Sequence, residues 1–191
     1  MTVSVLLLAL VTAQRLGELV LAARNTRRLM AKGAYEASPG HYPLIVALHA
    51  AWLSGLWWLA WDMTANLVLA ALFLGLEGLR VWTLASLGPR WTTRIIVLPR
   101  APLVRRGPYR FFPHPNYAVV CAEIALLPLV FRLWAYAIVF TVLNAVVLVV
   151  RVRCEAAALR SASGAATPVH LRRPAEPTAS TPAKAPQASL D

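Results

Sequence analysis

Arg105-Arg-Gly-Pro-Tyr-Arg110-Phe-Phe-Pro-His114-Pro-Asn-Tyr117-Ala-Val-Val-Cys-Ala-Glu123 is the stretch whose reading decides the fold. Gly107-Pro108 and Pro113-His114-Pro115 rule out a continuous helix there. Proline lacks the amide donor and biases the residue before it away from helical angles. From Asn116 onward the sequence turns apolar. The stretch therefore reads as a shaped elbow leading into a hydrophobic helix. Irregular backbone at membrane depth is tolerated only where protein or water satisfies its polar groups. Two readings fit: one wall of a polar pocket, or a stiff interfacial brace whose arginines touch lipid phosphates.

The surroundings of the elbow are those of a membrane protein. Of 191 residues, 59% are hydrophobic and 14% charged, against about 45–50% and about 25% in soluble domains. Mean hydropathy is +0.59. The net charge of +11 would suit nucleic acid, but the basic residues lie at the ends of apolar segments rather than along one face, so no nucleic-acid partner is expected. Cys121 and Cys154 suggest neither a metal cluster nor a disulfide. The first apolar segment lacks a basic lead and a small-residue cleavage site, and reads as a retained span.

On either side of the elbow the spans follow one another. Val3 to Ala23, Tyr42 to Trp61, Ala65 to Leu87, Asn116 to Phe131 and Leu133 to Val150 are apolar runs, most near the roughly 20 residues a span needs. The reading is an all-α integral membrane protein of about five transmembrane helices. The last two form a hairpin turning at Arg132, and four spans plus a re-entrant hairpin fit as well. Arg15 and Glu18, and Glu77 and Arg80, lie three apart inside spans. At that spacing each pair shares one helix face, as structural cross-links or as the lining of a cavity. His49 reads as a hydrogen-bonded interior histidine, and Trp57, Trp58 and Trp61 as an interfacial girdle. The run Ile95-Ile96-Val97-Leu98 is expected to dip into the interface. Residues 1–160 make the membrane domain. The Ala-, Pro-, Ser- and Thr-rich stretch 161–191 is expected to be a disordered tail.

Sixteen of the 19 Lys and Arg residues fall in the 24–41 loop, the 88–115 connection and the stretch after residue 150. With five spans all three lie on one side. The positive-inside rule then places the N-terminus outside and the elbow and C-terminus in the cytoplasm. The hairpin also brings the His114–Tyr117 elbow beside Arg151–Glu155. The site so formed offers cations (Arg105, Arg110, Arg151, Arg153), His114, phenols (Tyr109, Tyr117) and carboxylates (Glu123, Glu155). An arginine binds a carboxylate bidentately, and an aromatic ring faces a cationic sulfonium. Walker, dinucleotide-glycine, zinc-helix and serine-nucleophile motifs are absent from the sequence.

Gly107-Pro108-Tyr109-Arg110, then His114-Pro115-Asn116-Tyr117, then a hydrophobic hairpin and Arg151-Val-Arg153-Cys-Glu155, resemble the isoprenylcysteine carboxyl methyltransferase family. The resemblance is closest to its bacterial branch, whose members carry a stretch like Gly40-His41-Tyr42-Pro43. It spans residues 15 to 160. It implies S-adenosyl-L-methionine as methyl donor, held on the cytoplasmic side of the inner membrane by Tyr109, Arg110, His114, Pro115, Tyr117, Arg151 and Glu155. It also implies methyl transfer to an oxygen of a lipophilic small-molecule acceptor that enters from the bilayer, with no metal and no obligate protein partner. A carboxylate acceptor needs no base and would be oriented by Arg153. A phenol would be helped by one, and Glu123 is the nearest buried candidate, although a structural acid paired within the bundle fits it equally well. Pro113 stands where such proteins commonly have arginine, and Ala156 where a second glutamate often follows. A membrane NADPH-dependent reductase and a non-enzymatic membrane protein are the alternatives.

Overall fold

The computed structural model describes residues 2–99, 101–102 and 104–164. The described residues are all-α apart from one short ladder: α1 (Thr2–Met30), α2 (Tyr42–Ala60), α3 (Leu67–Leu87), α4 (Pro115–Val130) and α5 (Trp134–Gly164). α1, α2, α3 and α5 are long and apolar enough to cross a membrane, and α4 is a shorter apolar helix. Its 16 residues rise about 24 Å, while a bilayer core is about 30 Å thick. The architecture is thus four full-length helices and a fifth, short one. The stretch read as a tail from 161 is helical to Gly164, and the remainder lies outside the described residues.

Local chemistry sets the helix ends. Arg27 and Arg28 occupy the last turn of α1, where cations complement the helix dipole. Gly33, at φ +84°, carries the chain away. The Asn66 side chain caps α3 by accepting from the amides of Val68 (3.0 Å) and Leu69 (3.2 Å). Pro115 opens α4, at the position where a missing amide costs nothing. Arg132 turns the α4–α5 hairpin with φ +62°, and the Leu133 amide donates to the Pro128 carbonyl at 3.0 Å.

Leu8, Leu56, Phe73, Ile124 and Leu127 are fully buried and place residues from α1, α2, α3 and α4 in one core. Tyr136 of α5 packs against it and donates its hydroxyl to the Trp52 carbonyl at 2.8 Å. At one end of the bundle Ser4 bonds the Met63 carbonyl, and the Asn66 amide donates to Val130 at 2.9 Å. The other end is tied through polar connections. Asn25 donates to the carbonyls of Gly88 (3.2 Å) and Trp91 (2.9 Å).

Two expectations are corrected at that end. The run 95–98 is no free apolar stretch: Ile95 and Val97 are buried against the protein. Its residues Ile96–Val97 form β2, antiparallel to β1 (Tyr35–Glu36), with Tyr35 opposite Val97 and Glu36 opposite Ile96. Backbone amides beside apolar side chains need partners, and the α1–α2 connection supplies them. Both α1 and α5 also run on past the ends assigned to their spans. Charged residues leave a membrane without leaving a helix, so Arg24–Met30 and Arg151–Gly164 remain helical.

Candidate active site

The elbow is fixed to α3. Gly107 has φ +57°, and a Cβ there would run into the Ser86 side chain. Arg106 donates from Nε to the Ser86 carbonyl at 2.7 Å. Gly107–Arg110 then forms a single 3₁₀ turn that buries Pro108. Pro113 and His114 are exposed, and the chain enters α4 at Pro115.

α4 and α5 meet at a polar ledge where the hairpin was expected to place it. The His114 ring stacks on Tyr117 at 5.1 Å and 15°. The Tyr117 hydroxyl donates to the Glu155 carboxylate and accepts from Arg151 Nε at 3.0 Å. Arg151 also donates to the Thr93 carbonyl at 2.8 Å, and Thr93 Oγ1 lies 3.2 Å from the Tyr42 hydroxyl. Elements far apart in sequence are thereby fastened around one tyrosine. Burial, with Tyr117 and Glu155 nearby, pushes the Tyr109 phenol well above its ordinary pKa and keeps it neutral.

Beneath the ledge lies a cavity of about 440 Å³ between α1, α2, α4 and α5. Its wall is mostly apolar, with Leu16, Leu19, Ile45, Leu53 and Trp57 among its residues, and Tyr117 and Arg151 belong to it as well. Asn116 also lines it, and its Oδ1 is buried with no hydrogen-bond partner. A buried acceptor left unmatched costs about 1–3 kcal/mol.

The in-span acid–base pairs join into one plate that borders the cavity. Arg80 binds both oxygens of Glu18, with the Nη2 contact at 2.6 Å, and reaches Glu123 at 2.9 Å. Arg15 binds Glu18 at 2.9 Å and Glu123 at 2.6 Å, and approaches Glu77 at 3.8 Å. Gln14 donates to Glu77. Three carboxylates thus surround two guanidiniums. Arg15, Glu18 and Arg80 border the cavity.

Of the residues expected in the site, the structure brings His114, Pro115, Tyr117, Arg151 and Glu155 together, with Tyr109 close by. Arg110 is exposed at the end of the elbow. The two residues expected to act in chemistry lie off the cavity wall. Glu123 is 1% exposed and committed to Arg15 and Arg80. Arg153 is exposed two residues beyond Arg151, a spacing that turns it to a different helix face. Thr93, Asn116 and Asn144 line the cavity without having been singled out. Asn116 was within reach, sitting inside the His-Pro-Asn-Tyr string, whereas Thr93 carried no signal.

The model of the isoprenylcysteine carboxyl methyltransferase (ICMT) family matches residues 67–161. The uncharacterized protein YpbQ of Bacillus subtilis (strain 168) is 37% identical over 171 residues, 83% of this chain and 97% of the relative. The chain belongs to the isoprenylcysteine carboxyl methyltransferase family. The range matched to the family runs from the start of α3 into α5, and so includes the elbow, the ledge and Glu155. Family and helices together make this a multi-pass membrane protein of methyltransferase type. Methyltransferases of this family generally use S-adenosylmethionine. No solved structure matches the chain.

Proposed function

We propose that the protein is an integral membrane methyltransferase that uses S-adenosylmethionine to methylate an oxygen of a lipophilic acceptor drawn from the bilayer. The observation that carries this reading is that Tyr117 and Arg151 belong both to the polar ledge and to the wall of the apolar cavity. A water-soluble donor and a membrane-soluble acceptor are served by adjoining surfaces of very different polarity.

The ledge suits a zwitterionic nucleoside cation. Glu155 offers a carboxylate to hydroxyls or an amine, and Arg151 or the exposed Arg110 offers a guanidinium to a carboxylate. His114 and Tyr117 form a stacked aromatic pair of the kind that faces a cation. Bound there, S-adenosylmethionine supplies a methyl group on a sulfonium centre. The residues of this chain hold the reactants in line and keep water out, the two contributions a direct transfer needs most. The basic loops all gather at the elbow end, which supports a cytoplasmic ledge in the inner membrane and an outside N-terminus.

The test is calorimetric titration of the detergent-purified protein with S-adenosylhomocysteine, beside His114→Ala and Glu155→Gln and with NADPH as control. Saturable binding that is lost in folded variants is expected. No binding by a folded wild type, or binding of NADPH instead, rejects the assignment.

A further inference from the structure

We propose that the elbow is a docking surface for an anionic phospholipid of the adjoining leaflet, with Arg105 and Arg110 on the headgroup phosphate and Phe111 and Phe112 among the acyl chains. The inference goes beyond the methyltransferase reading and does not depend on it. It concerns the exposed side of the elbow and is measured without donor or acceptor.

Depth comes first. α3 has 21 residues and so is about 31 Å long, close to the thickness of a bilayer core. Each of its ends therefore lies near one boundary of the hydrocarbon. The elbow is fixed to its last two turns. Arg106 holds the Ser86 carbonyl, and Gly107 lies against the side chains of Ser86 and Trp82. Trp82 is 52% exposed, a placement suited to the membrane interface, where tryptophan is enriched. The turn 107–110 and the residues just after it thus sit where acyl chains give way to headgroups.

The side chains presented there suit that boundary. Phe111 is 70% exposed and Phe112 66%. Two adjacent open phenylalanines are unfavourable in water and favourable in an acyl layer. Arg105 and Arg110 flank the turn. Both are exposed, and neither has a hydrogen-bond or ion-pair partner among the described residues. Their neighbours are engaged: Arg90 with the Pro102 carbonyl, Arg94 with Glu36 and Arg106 with the Ser86 carbonyl. The sequence from Gly88 to Pro115 supplies no carboxylate. Free guanidiniums beside exposed aromatic rings at this depth match one ligand chemistry, a phosphate carried at the head of lipid tails.

The elbow also lacks other support on that side. The amides of Phe111 and Phe112 close on the Pro108 carbonyl at 3.1 Å, and Pro113–Pro115 then donates no backbone hydrogen bond among the described residues. His114 is held by its stack on Tyr117. Lipid on one side and Tyr117 on the other clamp the segment. With Arg110 engaged by lipid, Arg151 is the guanidinium left to the ledge.

The experiment titrates the full-length protein, in an uncharged detergent, with dioleoyl phosphatidylglycerol and separately with zwitterionic dioleoyl phosphatidylcholine. Native mass spectrometry counts the bound lipid. Each arginine at an anionic surface is worth about fivefold, so the wild type should prefer phosphatidylglycerol by roughly 25-fold. Arg105→Gln with Arg110→Gln should abolish the preference. Phe111→Ser with Phe112→Ser should weaken both lipids alike. Arg27→Gln with Arg28→Gln, at the same end of the bundle, should retain the preference. For depth, Cys121 and Cys154 are replaced and a nitroxide is attached to Phe112→Cys in vesicles of the two lipids. Oxygen should relax it more than a water-soluble nickel chelate does. Several results overturn the proposal: equal affinity of the wild type for the two lipids, a preference that survives the Arg105 and Arg110 changes or is lost equally with Arg27 and Arg28, phenylalanine variants that bind both lipids as before, or a nitroxide reached mainly by nickel. The wild-type titration and the nitroxide decide even if an arginine variant does not fold.

Discussion

Arg80→Leu is predicted to damage the protein far more than Glu123→Gln, although the two side chains touch. Arg80 is 5% exposed and Glu123 1%, so solvent screens neither. Removing Arg80 deletes three hydrogen bonds to carboxylates. It leaves Glu18, Glu77 and Glu123 facing a single guanidinium. Breaking a buried ionic arrangement from one side costs about 3–5 kcal/mol. For a chain of this size each kcal/mol moves the melting temperature by about 2–4 °C, so a fall of roughly 6–20 °C is expected. Glu123→Gln keeps the shape and leaves an amide oxygen to accept from Arg15 and Arg80. The expected cost is about 1 kcal/mol, or 2–4 °C. Intrinsic fluorescence during thermal unfolding in detergent reads both, since the chain has seven tryptophans. Equal shifts, or a larger one for Glu123→Gln, would refute the charge count on which the reasoning stands.

Three further outcomes follow from the geometry. Gly107→Ala should destabilise by about 1–3 kcal/mol, from left-handed backbone and the collision with Ser86. Gly88→Ala should cost less, because a Cβ there meets only the Arg106 guanidinium at 3.6 Å; paired melting curves check the order. Asn66→Ala should cost about 0.5–2 kcal/mol by uncapping α3, and Asn66→Ser should recover most of it. For orientation, Cys121 and Cys154 are first replaced. Asp62→Cys should then react with an impermeant maleimide on intact cells, and Arg28→Cys only after permeabilisation. The reverse pattern would invert the topology.

What the sequence showed of this fold follows the range of each physical signal. Hydrophobic runs and prolines act locally, so the order of the helices, the break at Pro113–Pro115 and the turn at Arg132 could be read directly. The meeting of Tyr117 with Glu155 and Arg151 was also legible, because a hairpin of known turn fixes which residues share a level. The plate was visible only in halves. Three-residue spacing revealed Arg15 with Glu18 and Glu77 with Arg80, but nothing local says that Glu123 joins them from a third helix. The β1–β2 ladder was missed for a related reason. Two residue pairs are too few to impress a period on the sequence, and Ile95–Leu98 has the composition of an interfacial run. Glu123 read equally as a base or as a structural acid paired within the bundle. Its partners, which commit it elsewhere, appear only in three dimensions. His49 was read correctly as a hydrogen-bonded interior histidine, with Nδ1 at 2.8 Å from the Ile45 carbonyl oxygen.

The shortness of α4 has a consequence for solvation. It packs between α3 and α5 and reaches α1 through Glu123. Its first turn therefore begins below the level to which α5 rises, and the polar surface dips into the bundle at that point. A cation resting on Tyr117 need not be dehydrated on all sides. Its lower face leaves water while its upper face keeps its hydration shell, so only part of the several kcal/mol for full transfer into hydrocarbon is incurred. On the proposed reading, a recess one helix wide would let a charged solute meet an oily one after only partial dehydration.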